Sequence, residues 1–262
     1  MRITFEGWDP VDRQLVRGTL VGLDRAQTQA ADLNPAALRP GGVGGVRVGA
    51  CAWDGAYVLA AALDAQPPGS FAGLRAVELG AGMGLPGLVL ARLGAAVWLT
   101  DKPAATVFGR CNAAKNRMLV PSAPAPSPLP PTQQQRQQQA PAPGSVAVLG
   151  LDWEDGPGAA AAAATITAAG PVDLIVGTDC IYPDPDGSVP DSSALLATVC
   201  ALATPGRTRA LLSFEARSDA LRRALLDAAS AAPLACRVRM LPPETLPEAY
   251  RAPHIELYEL SF

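Results

Sequence analysis

A glycine-rich turn directly after an apolar strand constrains this chain more than any other feature. Residues 77–84 read VELGAGMG, and the predicted strand covers 74–79. Glycines just past a buried strand let the backbone turn sharply and approach a ligand without an intervening side chain. In a doubly wound sheet such a turn lies at the carboxyl end of its strand, where ligands bind. The turn therefore predicts a ligand site on an α/β sheet.

Strand-like and helix-like segments alternate from about residue 53 to the end, which favours a mainly parallel sheet with helices on both faces. The Gly/Ala tract at 158–164 is left open between a weak helix and a flexible loop. No helix separates the last two predicted strands, so we expect an antiparallel C-terminal hairpin with the last strand at the edge. The predicted strands cover 74–79, 96–100, 146–151, 172–177, 210–214, 236–241 and 255–262; the predicted helices cover 53–63, 85–93, 104–117, 193–203 and 219–229.

Length and charge exclude several functional classes. The 262 residues, 49% of them hydrophobic, suit one elaborated domain. The net charge of −3 gives no electrostatic case for a nucleic-acid partner. Five cysteines without a CxxC pair, beside a single histidine, favour neither a zinc site nor a disulfide framework, so no metal is expected. A monomer is expected.

Two segments fall outside the alternating pattern. Residues 1–47 are expected to form an accessory segment with strands, ahead of a catalytic domain at 48–262. Residues 121–144, rich in proline and glutamine, are expected to be a disordered surface insertion. The N-terminus lacks the apolar region of a signal peptide, and no apolar run is long enough for a membrane span, so we expect a cytoplasmic protein, with the nucleus as a second possibility and no membrane partner.

Dinucleotide binding is the main rival interpretation of the turn. Residues 82–87 satisfy GxGxxG, and the acidic residue about 20 positions on, Asp101, fits either ligand. Against this, Glu78 stands where dinucleotide folds usually keep an apolar residue, and the register beginning at Gly80 follows the strand more directly. The chain also lacks a Tyr-x-x-x-Lys pair and has its only histidine near the last strand. Hydride transfer therefore has no evident acid or base.

Asp101 ends the second predicted strand. A carboxylate there is able to accept hydrogen bonds from both ribose hydroxyls of a nucleoside. The alternative is an N-cap, because Lys102 and Pro103 introduce the next predicted helix. We expect ribose binding, and both roles are compatible.

Taken together, the motifs resemble the seven-strand protein-lysine methyltransferases of the methyltransferase-21-like group. The resemblance runs from about residue 48 to 262, apart from the insertion, and departs from the usual pattern at Met83, where a threonine is common. It implies a class I methyltransferase fold and S-adenosyl-L-methionine as cofactor. The matching segments are 52–56 (AWDGA), 78–85 (ELGAGMGL), Thr100 and Asp101, Asn112, Asn116, Asp152 and Trp153, and 179–182 (DCIY).

The resemblance also implies roles for individual residues. The glycine turn becomes a wall against the methionine and ribose moieties, Trp153 an adenine neighbour, and Trp53 a cover over the cofactor. Packing in the core is nearly as good an explanation for Trp153, and helix packing is an equal one for Trp53. The expected cofactor-binding residues are Trp53, Glu78, Gly80, Ala81, Gly82, Gly84, Asp101, Trp153 and Thr178.

Asp179 and Tyr182 form the candidate catalytic pair. They follow the strand predicted at 172–177, which brings them to the ligand edge of the sheet. A carboxylate and a phenol are suited to orienting a lysine amine, and desolvation lowers the amine's pKa from about 10.4. Alternatively, Asp179 caps the following segment. Glu215 is a weaker candidate for receiving a cationic side chain.

The sequence therefore predicts methyl transfer from S-adenosylmethionine to a lysine of a protein substrate. Two alternatives stay open. The same scaffold is able to methylate a small molecule or another side chain, and a cofactor-binding regulatory protein needs no activity.

Overall fold

The computed structural model describes residues 2–9, 14–21, 24–28, 52–120, 142–181, 188–189, 191–216 and 219–262. Most of the predicted insertion, residues 121–141, lies outside the described residues, as do Tyr182 and much of the segment 1–47. Ten strands and six α-helices are found in the described ranges. In the described part of the chain no helix is long and apolar enough to cross a membrane.

The first three strands form an antiparallel sheet of their own, in the order β1-β2-β3. The other seven form the main sheet, in the order β6-β5-β4-β7-β8-β10-β9. The strand bounds are β1 Arg2–Asp9, β2 Gln14–Val21, β3 Asp24–Thr28, β4 Arg75–Leu79, β5 Ala96–Asp101, β6 Val146–Gly150, β7 Leu174–Thr178, β8 Arg209–Glu215, β9 Arg237–Met240 and β10 Ile255–Ser261.

Six α-helices accompany the main sheet and confirm the predicted alternation. They are α1 Asp54–Asp64, α2 Leu85–Arg92, α3 Thr106–Lys115, α4 Gly156–Ala168, α5 Ser193–Leu202 and α6 Asp219–Ser230. The Gly/Ala tract lies within α4, so the helical alternative is the correct one. Asp155 caps this helix by accepting from the Gly158 N–H, a proline occupies its first turn, and alanines with high helix propensity fill its interior.

Two apolar cores lie on opposite faces of the sheet. Helices α1 and α2 pack on one face, together with Ala113 of α3. Helices α4, α5 and α6 pack on the other. Alternation within β4 shows the division, since Ala76 belongs to the first core while Val77 and Leu79 belong to the second. Glu78 therefore faces the α1 and α2 side, where it is buried.

Strand directions confirm the predicted Rossmann-like α/β fold. Strands β4 to β8 pair in parallel, and β10 is antiparallel to both β8 and β9. The prediction that the last strand lies at the edge of the sheet is wrong. Strand β10 inserts between β8 and β9, so that β9 forms the edge. Strand β10 is the more apolar of the two, with a burial pattern dominated by buried residues, whereas three of the four β9 residues are exposed.

Candidate functional site

The glycine turn leaves β4 at the carboxyl edge of the sheet, as predicted. Gly80 and Gly82 have φ angles of 58° and 49°, in the left-handed region that side chains disfavour. A Cβ at Gly80 would stand 3.0 Å from Cys180 Sγ and 3.2 Å from Cη2 of Trp153. A side chain at position 80 would therefore collide with the residues that follow β6 and β7, so only glycine fits there.

Asp101 holds this turn from the neighbouring strand. Its Oδ2 accepts a 2.7 Å hydrogen bond from the Gly82 N–H, and its Oδ1 accepts a 2.7 Å bond from the Lys102 N–H. Burial raises the pKa of the Asp101 carboxyl, while the two backbone donors lower it. The N-cap alternative is wrong, because α3 begins at Thr106 with Ala105 as its N-cap.

Further hydrogen bonds tie the turn to β5 and α3. The Ala81 N–H donates to the Thr100 carbonyl at 2.9 Å. The buried Asn112 on α3 donates from Nδ2 to the Met83 carbonyl at 3.0 Å. Asn112 was one of the sequence signals without an assigned role, and the structure shows that it fixes the far side of the turn.

Glu78 lies beneath the turn, with only 1% of its surface exposed. Its Oε2 accepts a 2.8 Å hydrogen bond from the Gly87 N–H in the first turn of α2. Gly84, the N-cap of α2, makes no side-chain cap bond, so Glu78 supplies an acceptor that the helix end otherwise lacks. Burial raises the pKa of Glu78 to about 8, against the lowering effect of the Gly87 bond, and the nearby Asp101 charge adds to the rise.

Asp179 follows β7 with a φ of 50°, a conformation that Asp tolerates better than most residues. Its Oδ1 accepts from the Glu215 N–H at 3.1 Å, and its own N–H donates to the Ser213 carbonyl at 2.8 Å. These bonds join the carboxylate at the end of β7 to the end of β8. Residues 182–187, which the alternative cap would involve, lie outside the described residues, so that alternative stays a prediction.

The start of α1 packs against the carboxylate of Asp179. A Cβ at Gly55 would stand 2.5 Å from Oδ2 of Asp179, and Ser213 Oγ donates to the Gly55 carbonyl at 2.9 Å. Sequence reasoning missed Gly55 and Ser213 as parts of the site. Ser213 could have been found from strand register, since it pairs with Thr178 at the end of β7.

The predicted aromatic residues occupy two sides of the edge. Trp153, half-buried, follows β6 and packs against the second core while its ring edge approaches Gly80. The packing alternative for Trp153 is therefore correct, and its role beside the adenine stays a prediction. Trp53 is half-buried at the N-cap of α1, two residues before Gly55, which lies against Asp179. Thr178, half-buried, ends β7.

Cys180 lies at the centre of the edge. Its thiol donates to the Leu79 carbonyl at 3.4 Å. Burial raises the pKa of the thiol far above its usual range, and the charges of Asp101, Asp179 and Glu78 raise it further. The structure therefore brings three predicted carboxylates to one place, around a thiol that stays protonated.

Comparison with known proteins agrees with these motifs. Residues 41–129 match the family model described as lysine methyltransferase. A stretch of 69 residues, 26% of the chain, is 45% identical to the protein N-lysine methyltransferase METTL21A of mouse (Mus musculus). The matched stretch spans 31% of that relative, so the chain corresponds to less than half of its length.

Comparison with solved structures gave partial matches. An O-methyltransferase family protein from Burkholderia thailandensis is 11% identical, with a TM-score of 0.48 over 82% of this chain and 56% of that one. The magnesium protoporphyrin IX methyltransferase ChlM from Synechocystis PCC 6803, solved with bound SAM, is 19% identical, with a TM-score of 0.43 over 86% of each chain. The family match agrees with the resemblance carried by the glycine turn and its neighbours: residues 41–129 of this chain are similar to the lysine methyltransferase family.

Proposed function

We propose that this chain is an S-adenosylmethionine-dependent protein-lysine N-methyltransferase. One observation carries the proposal. A glycine turn at the carboxyl end of β4 is hydrogen-bonded to Asp101 at the end of β5, within a segment that matches the lysine methyltransferase family. This is the place where a doubly wound sheet binds a nucleoside.

The charge of the site supports a cationic ligand. Glu78, Asp101 and Asp179 all act on the Cys180 thiol, so the three carboxylates lie near one another. The Lys102 ammonium, which lies next to Asp101, is held by Glu154 at 2.7 Å. A pyrophosphate would meet electrostatic repulsion in such a site, whereas a sulfonium and an ammonium would be attracted. The site therefore fits S-adenosylmethionine better than a dinucleotide.

The residues present also fit the rest of the cofactor. Each Asp101 oxygen accepts one backbone N–H, and a carboxylate has about four acceptor positions, so two remain for ribose hydroxyls. Trp153 borders Gly80 and offers an aromatic surface beside the turn. Glu78 keeps its Oε1 buried without a hydrogen-bond partner among the described residues. The site thus has unused acceptors of the kind that a polar cation needs.

In the reaction that we propose, the bound cofactor would supply a methyl group already activated by its positive sulfur. The chain's own residues then have to position a neutral amine in line with it. Asp179 is suited to this because its carboxylate is fixed by the Glu215 N–H and by the close approach of Gly55. Tyr182, three residues later, is proposed to act beside it. Burial of the entering lysine lowers its pKa and favours loss of its proton.

A protein lysine is the acceptor that the family match supports best. The test is incubation of the purified chain with extracted cellular proteins and isotopically labelled S-adenosylmethionine, followed by mass spectrometry of lysine residues. We expect labelled methyl-lysine whose amount falls strongly when Asp101 is replaced by alanine and the cofactor is not saturating. Labelled small molecules without labelled protein would overturn the acceptor class, and calorimetric binding of NAD instead of S-adenosylhomocysteine would overturn the cofactor.

A further inference from the structure

Glu78 combines complete burial with an unused oxygen. Its side chain is the penultimate one of β4 and is 1% exposed. Oε2 accepts from Gly87, whereas Oε1 is buried and has no hydrogen-bond partner among the described residues. A buried carboxylate with one oxygen unused carries a large desolvation cost, which protonation reduces.

The groups around Glu78 increase this cost in the empty site. The elements packed against it are β5, β7 and α2, with α1 in the same apolar core. The charge that acts on Glu78 is that of Asp101 at the end of β5, which raises the pKa of Glu78 in addition to the effect of burial. The α2 cation Arg92 lies at the opposite end of that helix. Titratable or charged groups on these elements and the residues that border them are Asp54, Tyr57, Asp64, Arg92, Asp101, Lys102, Asp173, Asp179 and Cys180, and Arg75 begins β4 itself.

We propose that Glu78 holds a proton in the empty site and releases it when the cationic cofactor binds. This rests on the proposed function, since it assumes S-adenosylmethionine as the ligand. The sulfonium would place a positive charge near the three carboxylates. This charge would favour the ionised form of Glu78. The proton leaves to solvent, so cofactor binding is coupled to the release of one proton.

Proton release gives binding a definite pH dependence. The free protein carries a proton on Glu78 that the complex does not, so affinity rises with pH. The affinity should rise only up to about pH 8, because this is the pKa of Glu78 in the empty site. Below that value the dissociation constant should fall by up to about tenfold per pH unit, and it should level off above it.

Calorimetry of the full chain in buffers with different heats of ionisation measures the number of protons released. The probes are S-adenosylmethionine and 5′-methylthioadenosine, a neutral analogue without the sulfonium and the amino acid group. The cofactor's own amino group titrates near pH 8, so the informative quantity is wild type minus Glu78→Gln. Near neutral pH we expect S-adenosylmethionine to release more than half a proton more from wild type than from the variant, and methylthioadenosine to show no difference.

Infrared difference spectroscopy of the wild-type protein gives a second test that needs no variant. Addition of S-adenosylmethionine should remove one protonated-carboxyl band at neutral pH. Equal proton release by wild type and Glu78→Gln, or an unchanged carboxyl band, would overturn the inference while leaving the cofactor assignment intact. If S-adenosylmethionine does not bind at all, the proposed function itself fails.

Discussion

The Gly82 N–H and the Oδ2 atom of Asp101 are joined by a 2.7 Å hydrogen bond, although the two residues are 19 positions apart in sequence. The bond fixes the turn after β4 to the end of β5, and the Ala81 to Thr100 backbone bond reinforces it. The same carboxylate is therefore both a structural support for the turn and the proposed ribose ligand. These two roles have different consequences when Asp101 is replaced.

Replacement of Asp101 by alanine should weaken binding of S-adenosylhomocysteine by about 1.5–3 kcal/mol, because charge-assisted hydrogen bonds to the ribose are lost. Isothermal calorimetry measures the affinity and thermal unfolding measures the stability. Asp152→Ala is the matched control, since Asp152 is another half-exposed carboxylate, at the end of β6 and near Lys102. An Asp101→Ala protein with normal affinity and a lower melting temperature would show a structural role alone.

The Gly80→Ala substitution should reduce cofactor affinity by at least about tenfold and lower the melting temperature, because the new Cβ would crowd Cys180 and Trp153. Gly69→Ala separates backbone strain from crowding. Gly69 also has a positive φ, of 85°, yet a Cβ there would have no atom within 4 Å. The control should lose about 1 kcal/mol of stability and no affinity. Similar cofactor affinities for Gly80→Ala and Gly69→Ala would show that crowding at position 80 does not affect cofactor binding.

Asp179→Asn should lower turnover by up to about 100-fold, because the acceptor amine is no longer oriented. The affinity for S-adenosylmethionine should change little, because the glycine turn stays intact. Tyr182→Phe should act in the same direction but more mildly. Labelled methyl transfer to extracted proteins and cofactor calorimetry are compared in the same preparations. Asp191→Asn, an exposed carboxylate that accepts from the Ser193 N–H, is the control. Normal turnover in both Asp179→Asn and Tyr182→Phe would move the acceptor site towards Glu215.

Stability of the cofactor-free protein should fall as the pH rises towards 8, because of Glu78. Its pKa is about 8 in the folded chain and near 4.5 in the unfolded chain. Between these values the folded state holds a proton that the unfolded state has released, so each pH unit costs up to about 1.4 kcal/mol. Glu78→Gln lacks this titration, while the raised pKa of Asp101 affects both proteins alike. Urea unfolding at several pH values should therefore show wild type losing stability relative to the variant as pH rises, and parallel curves would contradict the assignment.

Local patterns predicted most of the elements, for a physical reason. A buried parallel strand followed by glycines and an amphipathic or apolar helix is specified by neighbouring residues, so β4, the turn and α2 follow from residues 74–93. The meeting of Asp101 with the turn also follows, because the carboxyl ends of adjacent parallel strands share one edge. Strand order is different. The insertion of β10 between β8 and β9 depends on which partner buries Tyr258 and Leu260 best, and periodicity contains no such information.

Contacts between distant segments were the part of the site that the sequence concealed. Gly55 and Asp179 are 124 positions apart, and nothing in either local pattern indicates that the start of α1 presses on the carboxylate after β7. The N-cap alternative for Asp101 was resolved by the actual start of α3 at Thr106, two residues after the start of the predicted helix. Proline placement restricts where a helix begins without fixing its first residue.

The position of β10 also has a consequence for biosynthesis. During translation the residues of β9 leave the ribosome before those of β10, yet in the main sheet β9 pairs with β10 alone. Strand β9 and the free edge of β8 must therefore wait, with backbone groups unpaired, until residues 255–261 have emerged. The nascent sheet from β4 to β8 can assemble earlier, and so can the ligand edge that contains the glycine turn. Chaperone binding to the newly synthesised chain should accordingly be concentrated on β8 and β9 and should end once β10 is in place.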